Sequence, residues 1–220
     1  NPIVTIGANG MMSIKCRNAC IIAPHPSAKH VSLKTVNLIR KEIEALGAPA
    51  DLIQVIEPEY CSIQATDELL AQCDVNIATG GPGMVKAVYS SGRPGFGVGQ
   101  GNCQEILCDD YDDLAYMARM IVANRSYDYG VPCVSEQTIH VPAVREGEFL
   151  EAMQDAGAYL IEDADKIQKL REVVFPDGEH ISRDVVGRSP QVVGGMIGID
   201  VPEDRRILLC KYSGCAQDDV

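Results

Sequence analysis

Apolar residues in the first hundred positions follow two different spacings in turn. Short continuous apolar runs are typical of buried strands, whereas apolar residues three or four positions apart are typical of helices. The strand-like runs lie at 18–23, 52–56, 75–79 and 95–98, and the helical runs lie at 11–17, 32–46, 67–73 and 84–91. Gly47 follows the second helical run, where a glycine cap is expected. This alternation predicts an α/β fold with a parallel sheet, and such sheets bind ligands at the carboxyl ends of their strands.

The pattern changes from residue 102 onward. A strand-like segment at 103–108 is followed by Asp109 and Asp110, which suit the cap and negative first turn of an amphipathic helix over 112–124. Two further helices are predicted over 146–156 and 164–174, and a strand over 207–210. The segment 191–199 is punctuated by glycines and predicts no element. The change of character places a boundary between two domains near residue 100.

Composition and charge narrow the functional classes. The chain has 220 residues, which is enough for one large domain or two modest ones, and 46% of them are hydrophobic, as in folded proteins. The formal net charge of −12 argues against nucleic acid or an anionic membrane surface as a partner. No apolar run approaches the roughly 20 residues that a membrane-spanning helix needs. We expect a protein that acts on small molecules.

The nine cysteines favour reduced thiols over a disulfide scaffold. Their number is odd, their spacing is irregular and no secretory signal precedes them. The pairs Cys16/Cys20, Cys103/Cys108 and Cys210/Cys215 do not have the spacing of a zinc site. We therefore expect reduced cytosolic thiols and no metal site.

One cysteine stands in a predicted turn. Gly130 and Pro132 interrupt the helical pattern before Cys133, and the apolar run 138–141 after it begins a new element. A cysteine at such a junction is reactive more often than one in a core. The alternative is a small buried hydrophobic residue without chemical function.

Two glycine clusters are candidates for cofactor binding. In the loop 80–83, glycines let a backbone approach an anion closely, and the following helix directs its first N–H groups at that anion. Equally, a turn between strand and helix can require glycine for geometry alone, the spacing is not G-x-G-x-x-G, and Lys86 lies far into the helix. The cluster 97–102 suits either a close approach to a nicotinamide ring or a hinge between domains. His25, at the ligand edge of the sheet, is a third candidate for cofactor contact.

Six motifs, in order along the chain, resemble one family. They are Asn1-Pro2, Ala23-Pro24-His25-Pro26, the run from Ala78 to Lys86 that contains Thr-Gly-Gly-Pro-Gly, Ser90-Ser91-Gly92-Arg93-Pro94, Gly97-Val98-Gly99 and Cys133-x-Ser135-Glu136-Gln137. Together they resemble the CoA-acylating branch of the aldehyde dehydrogenase superfamily, and the combination is more specific than any single motif.

This resemblance implies an organisation in two domains. Residues 1–100 would form a Rossmann-like nicotinamide-cofactor domain without its first elements, and residues 101–220 would form the first part of an α/β catalytic domain. The chain then looks like an internal fragment of a longer protein that forms homo-oligomers in the cytoplasm, including inside a bacterial microcompartment.

The resemblance also implies a reaction and its residues. Cys133 would attack an aldehyde, a hydride would pass to NAD or NADP, and coenzyme A would take the acyl group, all reversibly. Asn1, with the N–H of Cys133, would stabilise the oxyanion. The implied cofactor contacts are Pro24, His25, Pro26, Thr79, Gly80, Gly81, Gly83, Gly97, Val98 and Gly99. At the end of the first strand, where hydrolytic members carry a lysine for the adenosine ribose, this chain has Ala23, so His25, Ser27 and Lys29 are the available substitutes.

Two other functions stay open at this point. Hydrolytic aldehyde dehydrogenases place a glutamate before the nucleophile to activate water, and here that region is Gly97-Val98-Gly99. A non-catalytic fragment or binding module that keeps the fold is the second alternative. Acetaldehyde, succinate semialdehyde and sulfoacetaldehyde all suit enzymes of the acylating type.

Overall fold

A computed structural model describes residues 2–99, 101–178 and 180–212, and the chain divides into two compact units, 1–100 and 101–220. In the first unit, helices and strands alternate. Its elements are α1 (Val4–Lys15), β1 (Cys20–Ile22), α2 (Lys29–Ala45), β2 (Ile53–Val55), α3 (Ile63–Gln72), β3 (Asn76–Thr79), α4 (Pro82–Ser90) and β4 (Gly95–Val98). Short 3₁₀ turns precede α2 and β2.

In the second unit, helices and strands also alternate up to residue 174, and the last element in the described residues is a strand. Its elements are β5 (Cys103–Ile106), α5 (Leu114–Ser126), β6 (Glu136–His140), α6 (Glu146–Asp155), β7 (Ala158–Ile161), α7 (Ala164–Val174), α8 (Pro190–Met196) and β8 (Ile207–Cys210). None of the helices in the described ranges is both long enough and apolar enough to cross a bilayer.

The strands pair in parallel, which agrees with the predicted α/β class. In the described residues, backbone hydrogen bonds join β1 to β2, β3 to β4, β5 to β6 and β7 to β8, so that the predicted sheet is present as four parallel pairs. Parallel strands need a crossover between them, and the helices supply it for each pair.

Each unit has its own apolar core. In the first, Ile6 of α1 and Val36 of α2 pack with Ile53 of β2. In the second, one face of α5 packs against α6 and the neighbouring strands. The buried residues of that core are Leu107, Leu114, Met117, Ala118, Ile121, Val122, Phe149, Met153, Ala158 and Ile207.

Several boundaries differ from those predicted. Helix α1 begins at Val4 rather than near residue 11. It continues through Gly10, where a Cβ would be 2.8 Å from Ile53 Cδ1, so this glycine allows close packing on β2 instead of marking a break. Helix α3 also begins earlier, at a cap in which Ser62 Oγ accepts the N–H of Ala65. The cap of α5 is Asp113, not Asp109 or Asp110, because the Asp113 carboxylate accepts the N–H of Tyr116 at 2.9 Å.

Helix α8 lies in the segment for which the sequence predicted no element. Ser189 caps it and Pro190 occupies its first turn. Gly194 is buried where a Cβ would overlap Val201 Cγ2 and lie 3.2 Å from the carbonyl oxygen of Ile199, whereas a Cβ at Gly195 would have no atom within 4 Å. The two glycines have opposite surroundings, although they are adjacent in sequence.

We predict opposite effects of alanine at these two positions. Gly194→Ala should lower the free energy of unfolding by about 1–3 kcal/mol, because a methyl group there forces the backbone at Ile199 to move. Gly195→Ala should raise it by about 0.5–1 kcal/mol, because alanine fits the space and loses less backbone entropy on folding. The shift of the thermal transition measures both, and equal shifts for the two variants would contradict the packing described.

Candidate active site

Cys133 lies in an exposed turn between α5 and β6. The N–H of Ser135 donates to the carbonyl oxygen of Pro132 at 3.1 Å and closes the turn around Cys133 and Val134. Ser135 is only 1% exposed, so the turn is anchored on one side while its tip reaches solvent. The predicted junction position of Cys133 is therefore what the structure has.

The chain reaches this turn through three consecutive residues with positive φ. Asp128 and Tyr129 both have φ of 50°, and Gly130 has φ of 74°. Glycine adopts such angles readily, but a non-glycine residue held there costs about 1–3 kcal/mol and persists only where its surroundings hold it. The segment before Cys133 therefore depends on contacts from outside itself.

Arg125, at the end of α5, supplies such a contact, and its neighbour Asn124 contacts the chain after Cys133. Arg125 Nη1 donates to the carbonyl oxygen of Gly130 at 3.4 Å, and Asn124 Nδ2 lies 2.9 Å from both carboxylate oxygens of Glu136. Burial of the Arg125 guanidinium lowers its pKa, and the negative charge of Glu136 opposes that shift. The sequence analysis did not single out Asn124 or Arg125; a basic residue in the last turn of a helix, shortly before a glycine, is the signal that was present.

The start of the β5 strand lies against the same turn. A Cβ at Gly101 would be 3.1 Å from the carbonyl oxygen of Cys133, so only glycine leaves this approach undisturbed. Gln137 Nε2 donates to the carbonyl oxygen of Gly101 at 3.1 Å. Glu136 and Gln137, which follow Cys133 in the recognised motif, thus tie the turn to α5 and to the segment before β5.

Two backbone N–H groups at the tip of the turn are available as hydrogen-bond donors. Among the described residues, the N–H groups of Cys133 and Val134 have no acceptor. An oxyanion on an atom bonded to Cys133 Sγ needs donors of this kind. Asn1, predicted as the second donor, lies outside the described residues.

The loop after β3 has the properties of an anion cradle. Helix α4 begins at Pro82, so the loop consists of Gly80 and Gly81 and is shorter than predicted. The N–H groups of Gly81 and Gly83 have no acceptor in the described part of the chain, and a Cβ at either residue would have no atom within 4 Å. Proline lacks an N–H and is suited to this first helical position. An oxygen of a phosphate can therefore approach both free N–H groups at the start of α4.

The glycine cluster after β4 has mixed roles. A Cβ at Gly97 would lie 2.9 Å from Val85 Cγ1 and 3.1 Å from Tyr89 Cε2, so this glycine is required by the packing of α4 on β4. Val98 pairs with Thr79, and both Val98 and Gly99 are exposed. The carboxyl ends of β3 and β4 thus bring Thr79, Gly80, Gly81, Val98 and Gly99 together at one end of the strand pair.

The Pro-His-Pro segment follows the carboxyl end of β1. Pro24 is buried, and its carbonyl oxygen accepts the thiol of Cys61 at 3.2 Å. His25 Nδ1 accepts the N–H of Ser27 at 3.2 Å and caps the 3₁₀ turn that begins at Pro26. His25 therefore has a structural role that the sequence analysis did not predict. Lys29, a proposed substitute for the lysine of hydrolytic members, donates from Nζ to the carbonyl oxygen of Pro58 at 3.2 Å.

The surroundings of the cysteines separate them into classes. All eight in the described ranges are free, and Cys16, Cys108 and Cys133 are the exposed ones among them. Burial raises the pKa of Cys20 and of Cys210, although a hydrogen bond with Ser13 and the charge of Arg171 oppose the respective shifts. In the same part of the chain, His, Cys, Asp and Glu side chains form no group of three that could hold a metal ion.

Solved structures show which class of protein has this fold. No family model matches the chain. The acetylating aldehyde dehydrogenase of Geobacillus thermoglucosidasius matches with a TM-score of 0.91 at 32% identity, over 100% of this chain and 48% of that one. A propionaldehyde dehydrogenase of Rhodopseudomonas palustris, solved with bound CoA and an acylated cysteine, matches with a TM-score of 0.88 at 33% identity, over 97% of this chain and 48% of that one. The fold is that of the aldehyde dehydrogenases.

The curated relatives narrow the class further. The acetylating succinate-semialdehyde dehydrogenase of Clostridium kluyveri is 43% identical over 220 residues, which are 100% of this chain and 48% of the relative. Over its whole length the chain is similar to CoA-acylating aldehyde dehydrogenases, and the resemblance seen in the motifs is confirmed. It spans about half the length of these relatives.

We predict that Cys133 is the cysteine most readily alkylated. Its thiolate would be stabilised by the open N–H groups of the turn, whereas the raised pKa values of Cys20 and Cys210 make their thiolates scarce near neutral pH. Brief treatment with iodoacetamide followed by peptide mass spectrometry should show labelling of Cys133 at least about tenfold faster than that of Cys16 or Cys108. Those two are matched controls because they are equally free and exposed. Uniform labelling of all three would favour a binding module without a nucleophile.

Proposed function

We propose that the whole protein converts an aldehyde, CoA and NAD or NADP to acyl-CoA and the reduced dinucleotide, reversibly, through a thioester at Cys133. The observation that carries the proposal is the exposed Cys133 in a turn held from both sides, in a chain that matches acylating dehydrogenases along its length. Residues 1–100 would bind the dinucleotide and residues 101–220 would contribute the nucleophile to the catalytic domain.

The first step uses the turn itself. The Cys133 thiolate forms a bond from Sγ to the carbonyl carbon of the aldehyde, and the carbonyl oxygen takes up the negative charge. The open N–H groups of Cys133 and Val134 are the donors that this oxygen would accept from. Asn1 is the proposed side-chain donor beside them. Loss of a hydride from the same carbon leaves a thioester on Sγ.

The cradle at the start of α4 suits the dinucleotide. When bound, the nicotinamide supplies the acceptor for the hydride. Thr79, Gly80, Gly81 and Gly83 would hold the pyrophosphate, because the N–H groups of Gly81 and Gly83 are open and no side chain covers them. Pro24, His25 and Pro26 would lie against the adenosine, and Gly97, Val98 and Gly99 would border the nicotinamide. His25, Ser27 and Lys29 are the candidates for distinguishing NAD from NADP.

The acyl acceptor is then a thiol rather than water. At the strand end of residues 97–99 no side chain carries a carboxylate, and a general base is needed for water to attack a thioester quickly. The CoA thiol is intrinsically a better nucleophile and is partly ionised near neutral pH. Its sulfur bonds to the thioester carbon, and Cys133 leaves as the thiolate. Because the relative with 43% identity is named for succinate semialdehyde, that aldehyde is the first substrate to test.

We predict that product formation depends on CoA. The whole protein, assayed with NAD and NADP against acetaldehyde, succinate semialdehyde and sulfoacetaldehyde, should yield acyl-CoA by chromatography and little free acid. Val98→Glu should raise the free-acid fraction, since it adds a carboxylate at an exposed position, and Val98→Gln is the control of equal size without the base. Gly97→Glu is the poorer variant because its Cβ would meet Val85 and Tyr89. Free acid made at one rate with or without CoA would replace this proposal with the hydrolytic function.

We also predict that side chains at Gly81 weaken dinucleotide binding in order of size. Gly81 has φ of −69° and open space around it, so alanine or valine fits the backbone and instead covers the free N–H groups. Gly81→Val should raise KM for NAD or NADP about tenfold or more, which corresponds to about 1.4 kcal/mol, and Gly81→Ala should raise it less. The rate of Cys133 alkylation is the control and should not change. An unchanged KM in Gly81→Val would exclude the cradle as the pyrophosphate site.

A further inference from the structure

The end of helix α5 contacts the chain on both sides of Cys133. Gly130 lies three residues before Cys133 and Glu136 lies three residues after it. Arg125 donates to the carbonyl oxygen of Gly130, and Asn124 donates to the carboxylate of Glu136. Two adjacent residues of one helix thus fix both ends of the segment that carries the nucleophile.

The contact between Arg125 and Gly130 is a close fit. A Cβ at Gly130 would lie 2.8 Å from Arg125 Cζ, 3.0 Å from Nη1 and 3.1 Å from Nε, so the guanidinium lies directly against the glycine. Among the described residues, the Gly130 carbonyl is the acceptor that Arg125 has. The planar guanidinium combines this hydrogen bond with packing, which an ammonium group cannot reproduce.

Glu136 links the two contacts. Its carboxylate receives Asn124 Nδ2 on both oxygens at 2.9 Å, and its charge favours the cationic form of the half-buried Arg125. Removal of Glu136 would leave the partly desolvated Arg125 without a nearby counter-charge. Removal of Arg125 would take away the contact at the end of the positive-φ segment of Asp128 and Tyr129.

We propose that Arg125 is a positioning residue, which together with Asn124 and Glu136 clamps the chain on both sides of Cys133 and holds its thiolate in the orientation for attack. The inference rests on the proposed role of Cys133 as nucleophile. Its physical basis is that the segment 128–130 has an unfavourable backbone conformation that it keeps only while Gly130 is held. A displacement of a reacting group by about 1 Å can lower the rate about a hundredfold.

The test is Arg125→Met in the whole protein, with Arg119→Met as the matched control. Arg119 lies on the same helix, is exposed and stacks over Tyr116 at 6.0 Å, so the same substitution there leaves the clamp intact. Arg125→Met should lower kcat at least about tenfold, with KM for the aldehyde within about threefold of its original value, as expected when orientation and not binding is lost. Arg119→Met should keep the original kcat.

The labelling rate of Cys133 relative to Cys16 in the same protein separates positioning from stability. Cys16 is exposed in the other unit, so a loss of the clamp should lower the ratio of the Cys133 rate to the Cys16 rate. A general loss of stability should instead raise the labelling of the partly buried cysteines and leave this ratio in the folded protein unchanged. An unchanged ratio in Arg125→Met overturns the inference. If Arg125→Met does not fold, Arg125→Lys is measured in the same way, and an original kcat and ratio in that variant also overturn it.

Two further variants complete the test. The combination of Arg125→Met with Glu136→Gln should cost much less than the sum of the two single effects, because both remove one clamp; additive effects would count against the coupling. Cys133→Ser tests the proposed function separately. Activity in Cys133→Ser would overturn the nucleophile and the clamp together, whereas inactive Cys133→Ser with fully active Arg125→Met would overturn the clamp alone.

Discussion

The burial of one face of helix α5 fixes the place where the turn that carries Cys133 begins. Ile121 and Val122 are 3% and 1% exposed in the core formed with α6 and the surrounding strands, so the last turn of the helix cannot shift along its axis without opening that core. Asn124 and Arg125 follow directly and extend from this fixed end toward Glu136 and Gly130. The packing of the core therefore also fixes the position of Cys133, although Cys133 itself lies at the surface.

The glycines of the two recognised clusters differ in what requires them. Gly97 is fixed by the packing of α4 on β4, because a side chain there would meet Val85 and Tyr89. Gly81 and Gly83 have no neighbour that a Cβ would disturb, so packing gives no reason for their small size. The N–H groups of Gly81 and Gly83 have no acceptor in the described residues, so a small residue at these positions has a different explanation: it lets an anion reach them. Glycine is thus required by packing in one cluster, whereas in the other it leaves backbone N–H groups accessible.

The sequence predicted the elements that carry an ordinary periodic pattern. Strand β4, helix α7 and strand β8 have the boundaries predicted. In β4, however, the apolar side chains Phe96 and Val98 are 65% and 50% exposed, so its extent is marked by its pairing with β3 and not by burial. Helices α1 and α8 were cut short or absent from the prediction because Gly10 and Gly194 stand at close contacts between elements, and a glycine in a helix signals a break unless the neighbour is known. Cys133 was found through its flanking turn residues. Arg125 was not, because a basic residue in the last turn of a helix is common, and the sequence does not show that its guanidinium reaches the carbonyl oxygen of Gly130.

In the proposed reaction, the choice between CoA and water as the acyl acceptor depends on whether a carboxylate can activate water at the thioester. The carboxylate nearest in sequence to Cys133 on its β6 side is Glu136, and both of its oxygens are taken up by Asn124 while its charge faces Arg125. These contacts make Glu136 part of the support of the Cys133 turn. The segment Gly97-Val98-Gly99, where the resemblance places the glutamate of hydrolytic members, carries no carboxylate. An acyl group on Cys133 would therefore be transferred mainly to a nucleophile that is already partly ionised. Near neutral pH a thiol meets that condition and water does not.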